Sequence, residues 1–167
     1  MRLAFLLLAS AISVSAAPRL ELRPDDHVAL VGAGPIERLQ FHGHLETLLH
    51  AAHPGHRLVI RNLGFAGDEV GLRPRSDGTP PLEFFLDMTP GVLRARWGSG
   101  EGEYRVGAPF HATVIVAQWG FNESFAGPSG LESFRRQLDA WVVSQLAADR
   151  GRGRPRLALM SPPAMEE

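Results

Sequence analysis

Residues 28–37, Val-Ala-Leu-Val-Gly-Ala-Gly-Pro-Ile-Glu, constrain the fold more than any other stretch of the chain. Val28 to Val31 is an unbroken apolar run, as in a strand buried on both faces of a parallel sheet. Gly32 and Gly34 flank Ala33, and Pro35 stands where a helix begins, a position at which its missing N–H costs nothing. The stretch therefore predicts a strand, a tight turn and a helix. In α/β domains this corner is where ligand or nucleophile chemistry is placed. Here the turn residues Gly32, Ala33 and Gly34 carry no functional group.

The same grammar continues along the chain. Leu39, Leu45, Leu48, Leu49 and Ala52 keep a helical spacing after Pro35, and Pro54-Gly55 ends that helix. Arg57 to Arg61 reads as a second strand, followed by a loop punctuated by Gly64 and Gly67. Residues 71–81 are rich in Gly, Pro, Arg and Ser. The apolar stretch Pro81 to Trp97 is expected to be short, irregular helix covering the sheet, and residues 98–107 a loop. Ala112 to Ala117 is the clearest buried strand. Ser129 and Glu132 form a capping-box pattern ahead of a helix carrying Leu131, Phe134, Leu138, Trp141, Val142 and Leu146 on one side. Leu157 to Met160 is a last strand. The order predicts a three-layer α/β/α domain with a mostly parallel sheet. The loops near Gly34, Gly67 and Asn122 then meet at one edge.

Met1-Arg2, the apolar stretch Leu3 to Ile12 and the small residues Val14-Ser15-Ala16 read as a secretory signal cleaved after Ala16. Residues 17–167 are then the mature domain, secreted or periplasmic, with no membrane span once the signal is removed. The chain has no cysteine, which rules out thiol nucleophiles and thiolate metal sites. Its 17 basic and 18 acidic residues give no electrostatic case for nucleic acid. Gly32-Ala-Gly34 does not complete a dinucleotide fingerprint, because position 37 is glutamate.

Three blocks carry a family resemblance: Val31-Gly-Ala-Gly-Pro-Ile-Glu-Arg38, Asn62-Leu-Gly-Phe-Ala-Gly-Asp68 and Gly120-Phe-Asn-Glu-Ser-Phe-Ala-Gly127. With His44 to Leu49 and Ser161-Pro162, they make residues 27–165 resemble the SGNH, or GDSL, hydrolases. The closest likeness is to secreted bacterial members that read roughly Leu-Gly-Asp-Ser-Ile-Thr-Glu, Asn-Leu-Gly-Trp-Ser-Gly-Asp and Gly-Tyr-Asn-Glu-Ser-Phe. The resemblance implies a flavodoxin-like α/β/α domain and serine-dependent hydrolysis of carboxylic esters, acetyl esters of carbohydrate among them. It also implies an oxyanion hole built at Gly34, Gly67 and Asn122. Asn62, Gly64, Asp68, Gly120 and Glu123 would support the surrounding loops.

The chain departs from the family at two decisive places. Gly34 occupies the nucleophile position with Ala33 beside it, and Met165 follows Ser161-Pro162 where relatives tend to carry histidine. The late Asp-x-x-His block does not occur, so the domain is expected to lack the usual C-terminal elements. Without nucleophile and base the catalytic cycle is not expected to run. The alternative is a non-catalytic carbohydrate- or protein-binding module using the Gly67/Asn122 edge; a third reading is an esterase with a displaced nucleophile or a base from a partner chain. No cofactor or metal is expected. The expected partners are an ester or carbohydrate ligand, and a partner chain or second copy at the sheet edge left open. Ser129 is expected to cap its helix and Ser124 to lack a base. His42 and His44 are expected to face apart on one helix, and Arg150 to Arg156 to form a solvated basic loop.

Overall fold

A computed structural model describes residues 19–72, 91–97, 100–106 and 110–163. The leader expected at 1–16, residues 81–90 of the expected irregular helix, and Met165 lie outside them. Four parallel strands form the main sheet: β1 (His27–Gly32), β2 (Val59–Asn62), β5 (Val114–Gln118) and β6 (Arg156–Met160), in the order β2-β1-β5-β6. Leu30 pairs with Asn62 on one side and Val116 on the other, and Val116 pairs in turn with Ala158.

Alternation along β1 and β5 divides the core into two layers. Val28, Leu30 and Val114 face α1 (Gly34–Leu39) and α2 (His44–Ala52), packing with Ile36, Leu39 and Leu45. Ala29, Val31, Ile115 and Ala117 face the long helix α3 (Leu131–Ala147). On that side Trp119 meets Trp141 edge-on, with ring centroids 5.6 Å apart. Each buried Val, Leu or Ile contributes about 1.5–3 kcal/mol of hydrophobic stabilisation. These layers make the domain a three-layer α/β fold. No helix among the described residues is long and apolar enough to cross a membrane.

Several expectations are corrected. The single helix expected from Pro35 to Ala52 is two, because Gly43 takes a left-handed conformation (φ 61°) that no continuous α-helix contains. His42 and His44 consequently straddle a break rather than a helix, and their rings stack 5.8 Å apart. Residues 91–97, expected to be helical, form β3 (Gly91–Trp97), and the expected loop at 98–107 contains β4 (Gly100–Val106). The two are an antiparallel hairpin, with Arg94 in register with Glu103 and Arg96 with Glu101.

The capping box is also absent. α3 begins after Gly130 with no side-chain cap, and the Ser129 hydroxyl donates to the Ala126 carbonyl within the preceding 3-10 turn. Leu131 and Leu146 are exposed rather than part of the buried face of α3. The basic loop is not uniformly solvated. Arg150 is buried and donates to the Gln145 side chain, and Arg156 opens β6 with an ion pair to buried Asp26.

Candidate functional site

The sheet order reverses across β1: the chain runs from β1 out to β2 on one side and later to β5 on the other. Ligand crevices of open α/β sheets form at such a switch point, beyond the carboxyl ends of the strands. At the end of β1, Gly32 has φ +146°, and a Cβ there would stand 2.3 Å from the Gln118 carbonyl oxygen. Only glycine allows β1 and β5 to close at this point. Ala33 then turns the chain into α1, its carbonyl accepting from the N–H groups of Ile36 (3.0 Å) and Glu37 (3.1 Å).

The loop after β2 is fastened onto α1. The Asn62 side chain accepts from the Gly64 N–H at 2.9 Å and donates to the Ile36 carbonyl at 2.7 Å. The Leu63 and Phe65 N–H groups continue the ladder onto the Leu30 and Gly32 carbonyls. Gly64 lies so close to α1 that a Cβ would meet the Glu37 nitrogen at 2.6 Å. A turn closed by the Asp68 N–H to the Phe65 carbonyl (2.9 Å) then presents Ala66 and Gly67, and Asp68 is fully buried beneath it.

The loop after β5 locks onto that turn. Gly120, with φ +104°, redirects the chain. The Glu123 carboxylate accepts from the Gly120 N–H at 2.8 Å and from the Val70 N–H at 2.7 Å, tying the two loops together. The Asn122 amide nitrogen donates to the carbonyls of Ala66 and Asp68, each at 2.9 Å. Ser124 donates its hydroxyl to the Phe121 carbonyl.

Gly34, Gly67 and Asn122 are thus brought to one corner, with Ala66 as their common neighbour. A Cβ added at Gly34 would lie 3.8 Å from the Ala66 Cα and 3.9 Å from its Cβ. The Gly34 and Gly67 N–H groups have no acceptor among the described residues. Both hydrogens of the Asn122 amide nitrogen, by contrast, are used within the protein. The corner therefore holds two backbone N–H groups without an acceptor among the described residues, on buried Gly34 and half-buried Gly67, and an Asn122 amide that could donate elsewhere only by releasing the loop.

No histidine among the described residues hydrogen-bonds to or stacks on this corner. His27 lies at the opposite end of β1, stacked on Phe110; His111 lies against Gly151. His53 and His56 pack together between α2 and β2, with ring centroids 4.7 Å apart. No group of three or more His, Asp or Glu suited to a metal ion occurs among the described residues.

Sequence reasoning passed over Gln118, the last residue of β5. Its amide nitrogen donates to the Ser161 carbonyl at 2.9 Å, while its oxygen is buried without a partner. With Pro35, Ile36, Leu39 and Ser161–Pro163 it lines a cleft of about 490 Å³ beside the corner. A polar residue ending an otherwise apolar strand at the carboxyl edge was the available signal. No protein-family model, curated protein or solved structure matches the chain.

Proposed function

We propose that this chain is a non-hydrolytic relative of the SGNH ester hydrolases, secreted or periplasmic, that holds the carbonyl of a neutral ester at the Gly34–Gly67 corner without cleaving it. An acetyl ester of carbohydrate is the ligand class that the resemblance implies. The observation carrying this reading is position 34. It is the first residue of a helix at the end of the central strand, it has space for a side chain against Ala66, and it has none. An ester hydrolase of this type needs a nucleophile at that point and a base within hydrogen-bond reach of it. Two unengaged backbone N–H groups are the part of an oxyanion hole that survives loss of the serine, and aligned donors bind a carbonyl whether or not a nucleophile is present.

The test pairs turnover with binding. The chain should release no p-nitrophenol from p-nitrophenyl acetate beyond the buffer rate. On titration with a peracetylated monosaccharide, the Gly34 and Gly67 amide resonances should shift saturably, and the unacetylated sugar should leave them in place. Catalytic release abolished by a serine substitution would overturn the non-hydrolytic reading. Unmoved Gly34 and Gly67 resonances would overturn the carbonyl-binding one.

A further inference from the structure

We infer that Gln118 reads a free hydroxyl of the ligand in the cleft beside Gly34, so that the sugar bound there is only partly acetylated. The inference deepens the proposed function and rests on its placing of an ester carbonyl at the Gly34 corner. Gln118 ends β5, in register with Gly32 of β1 on one side and Met160 of β6 on the other. It is 7% exposed. Its amide nitrogen donates to the Ser161 carbonyl at 2.9 Å, and its oxygen is buried with no hydrogen-bond partner. A buried acceptor left without a donor is destabilising and rare in native proteins.

Much of the lining cannot supply that donor. Pro35, Pro162 and Pro163 stand around the cleft and have no N–H. The Ile36 N–H is committed to the Ala33 carbonyl at 3.0 Å. Turning the amide over would set its oxygen against the Ser161 carbonyl, so the Ser161 bond fixes the nitrogen there and leaves the oxygen for another donor. The Ser161 hydroxyl lines the same cleft and also makes no hydrogen bond among the described residues.

The walls select the chemistry of the donor. Apart from Gln118 and Ser161, the described lining is proline, Ile36, Leu39 and Met160. A cation entering it would lose hydration with no carboxylate in the lining to replace the water. A hydroxyl enters neutral, donates to Gln118 and can accept in turn from the Ser161 hydroxyl. A pyranose ring carries such hydroxyls on its edge and C–H faces that suit proline and leucine walls. The cleft, about 490 Å³, lies within the range of small-ligand sites. Pro35 follows Gly34 directly, so a sugar whose acetyl carbonyl is held at the corner has its ring beside Gln118. A fully acetylated sugar has no hydroxyl to give. Because the Gln118 oxygen is shielded from bulk water, the new hydrogen bond is gained rather than exchanged for one to water.

The test varies the ligand first, which leaves the fold untouched. A methyl glucopyranoside carrying one O-acetyl group is titrated into the intact chain beside its fully O-methylated counterpart, which keeps the ester and has no hydroxyl. The free-hydroxyl compound should bind about 10-fold tighter, and it alone should shift the Gln118 side-chain amide resonances. In Q118M, which keeps the side chain's length and removes the acceptor, the two compounds should bind alike. The Gly34 and Gly67 resonances report the carbonyl separately. If they move with both compounds while Gln118 stays still, the hydroxyl inference fails and the carbonyl reading stands. If only Gln118 moves, and only with the hydroxyl compound, its hydroxyl contact stands and the carbonyl reading fails. Equal affinity of the two compounds for the wild type, or binding of neither, would overturn the inference. So would nuclear Overhauser contacts between the Gln118 side chain and the amides of residues 164–167, because the chain itself would then supply the donor.

Discussion

Whether Gly34 is required by the backbone or is a position that has lost its side chain can be decided by stability alone. Gly34 begins α1, its φ is not in the left-handed region, and an added Cβ would make only ordinary contacts of 3.8 and 3.9 Å with Ala66. Replacing such a glycine removes conformational freedom from the unfolded chain, so G34S should stabilise the fold by about 0.5 kcal/mol. For a domain of this size that raises Tm by about 1–2 °C. Gly64 is the control, two loops from the same corner. A Cβ there meets the Glu37 nitrogen at 2.6 Å, Ile36 Cγ2 at 2.7 Å and the Ile36 carbonyl carbon at 2.9 Å. Backbone cannot rotate away as a side chain can, so G64A should cost about 2–3 kcal/mol, a Tm fall of roughly 5–10 °C. Thermal melts of both variants by circular dichroism at pH 7 make the comparison. A G34S variant destabilised as much as G64A would refute the reasoning, because glycine would then be a structural requirement of the turn.

The remaining predictions concern the two ends of the sheet. Burial pushes the Asp26 carboxyl up, but hydrogen bonds from the Arg23 N–H, Arg156 and Thr113 outweigh it and hold the group below the ordinary carboxylate value. D26N should cost about 2–3 kcal/mol at pH 7. The ionised carboxylate's contribution is complete above about pH 4, the unfolded value, and is lost as pH falls through the lower folded value; a Tm gap unchanged between pH 7 and pH 3 would refute this. N122A removes two hydrogen bonds to the 66–68 turn and should cost about 1–2 kcal/mol. It should also speed amide hydrogen exchange at Asp68, and unaltered exchange there would show that the turn holds itself.

What was legible in the sequence follows from how many constraints each segment satisfied by itself. β1 and β5 are buried on both faces, and their apolar runs announce this without reference to any neighbour. The break between α1 and α2 was hidden because the apolar spacing continues through it; Gly43 was the signal, and one glycine within a periodic stretch is easily absorbed into a helix. The hairpin was lost for a different reason. Val92 to Trp97 alternates imperfectly, its partner strand is rich in Gly and Glu, and only the register of the two shows that they pair. Ser129 and Glu132 had the spacing of a capping box, but the preceding 3-10 turn claimed the serine hydroxyl first. Competition among acceptors of this kind cannot be read from spacing.

The corner was legible as an address and not as a state. Order and spacing of the three blocks nominated Gly34, Gly67 and Asn122, and the fold brings all three to Ala66. The sequence could not say which way the Asn122 amide points, since its acceptors are carbonyls 54 and 56 residues away. That direction changes the chemistry. An oxyanion hole helps a reaction because its donors need no reorganisation when charge develops. Here the third donor would first have to give up a carbonyl, with a loss of about 0.5–1.5 kcal/mol for each bond broken. A corner with two prepared donors and one engaged amide suits a neutral carbonyl held in its ground state better than a developing alkoxide. The absence of a side chain at position 34 and the turned-in amide are separate observations, one of composition and one of geometry, and within the function proposed above both favour holding an ester over cleaving it.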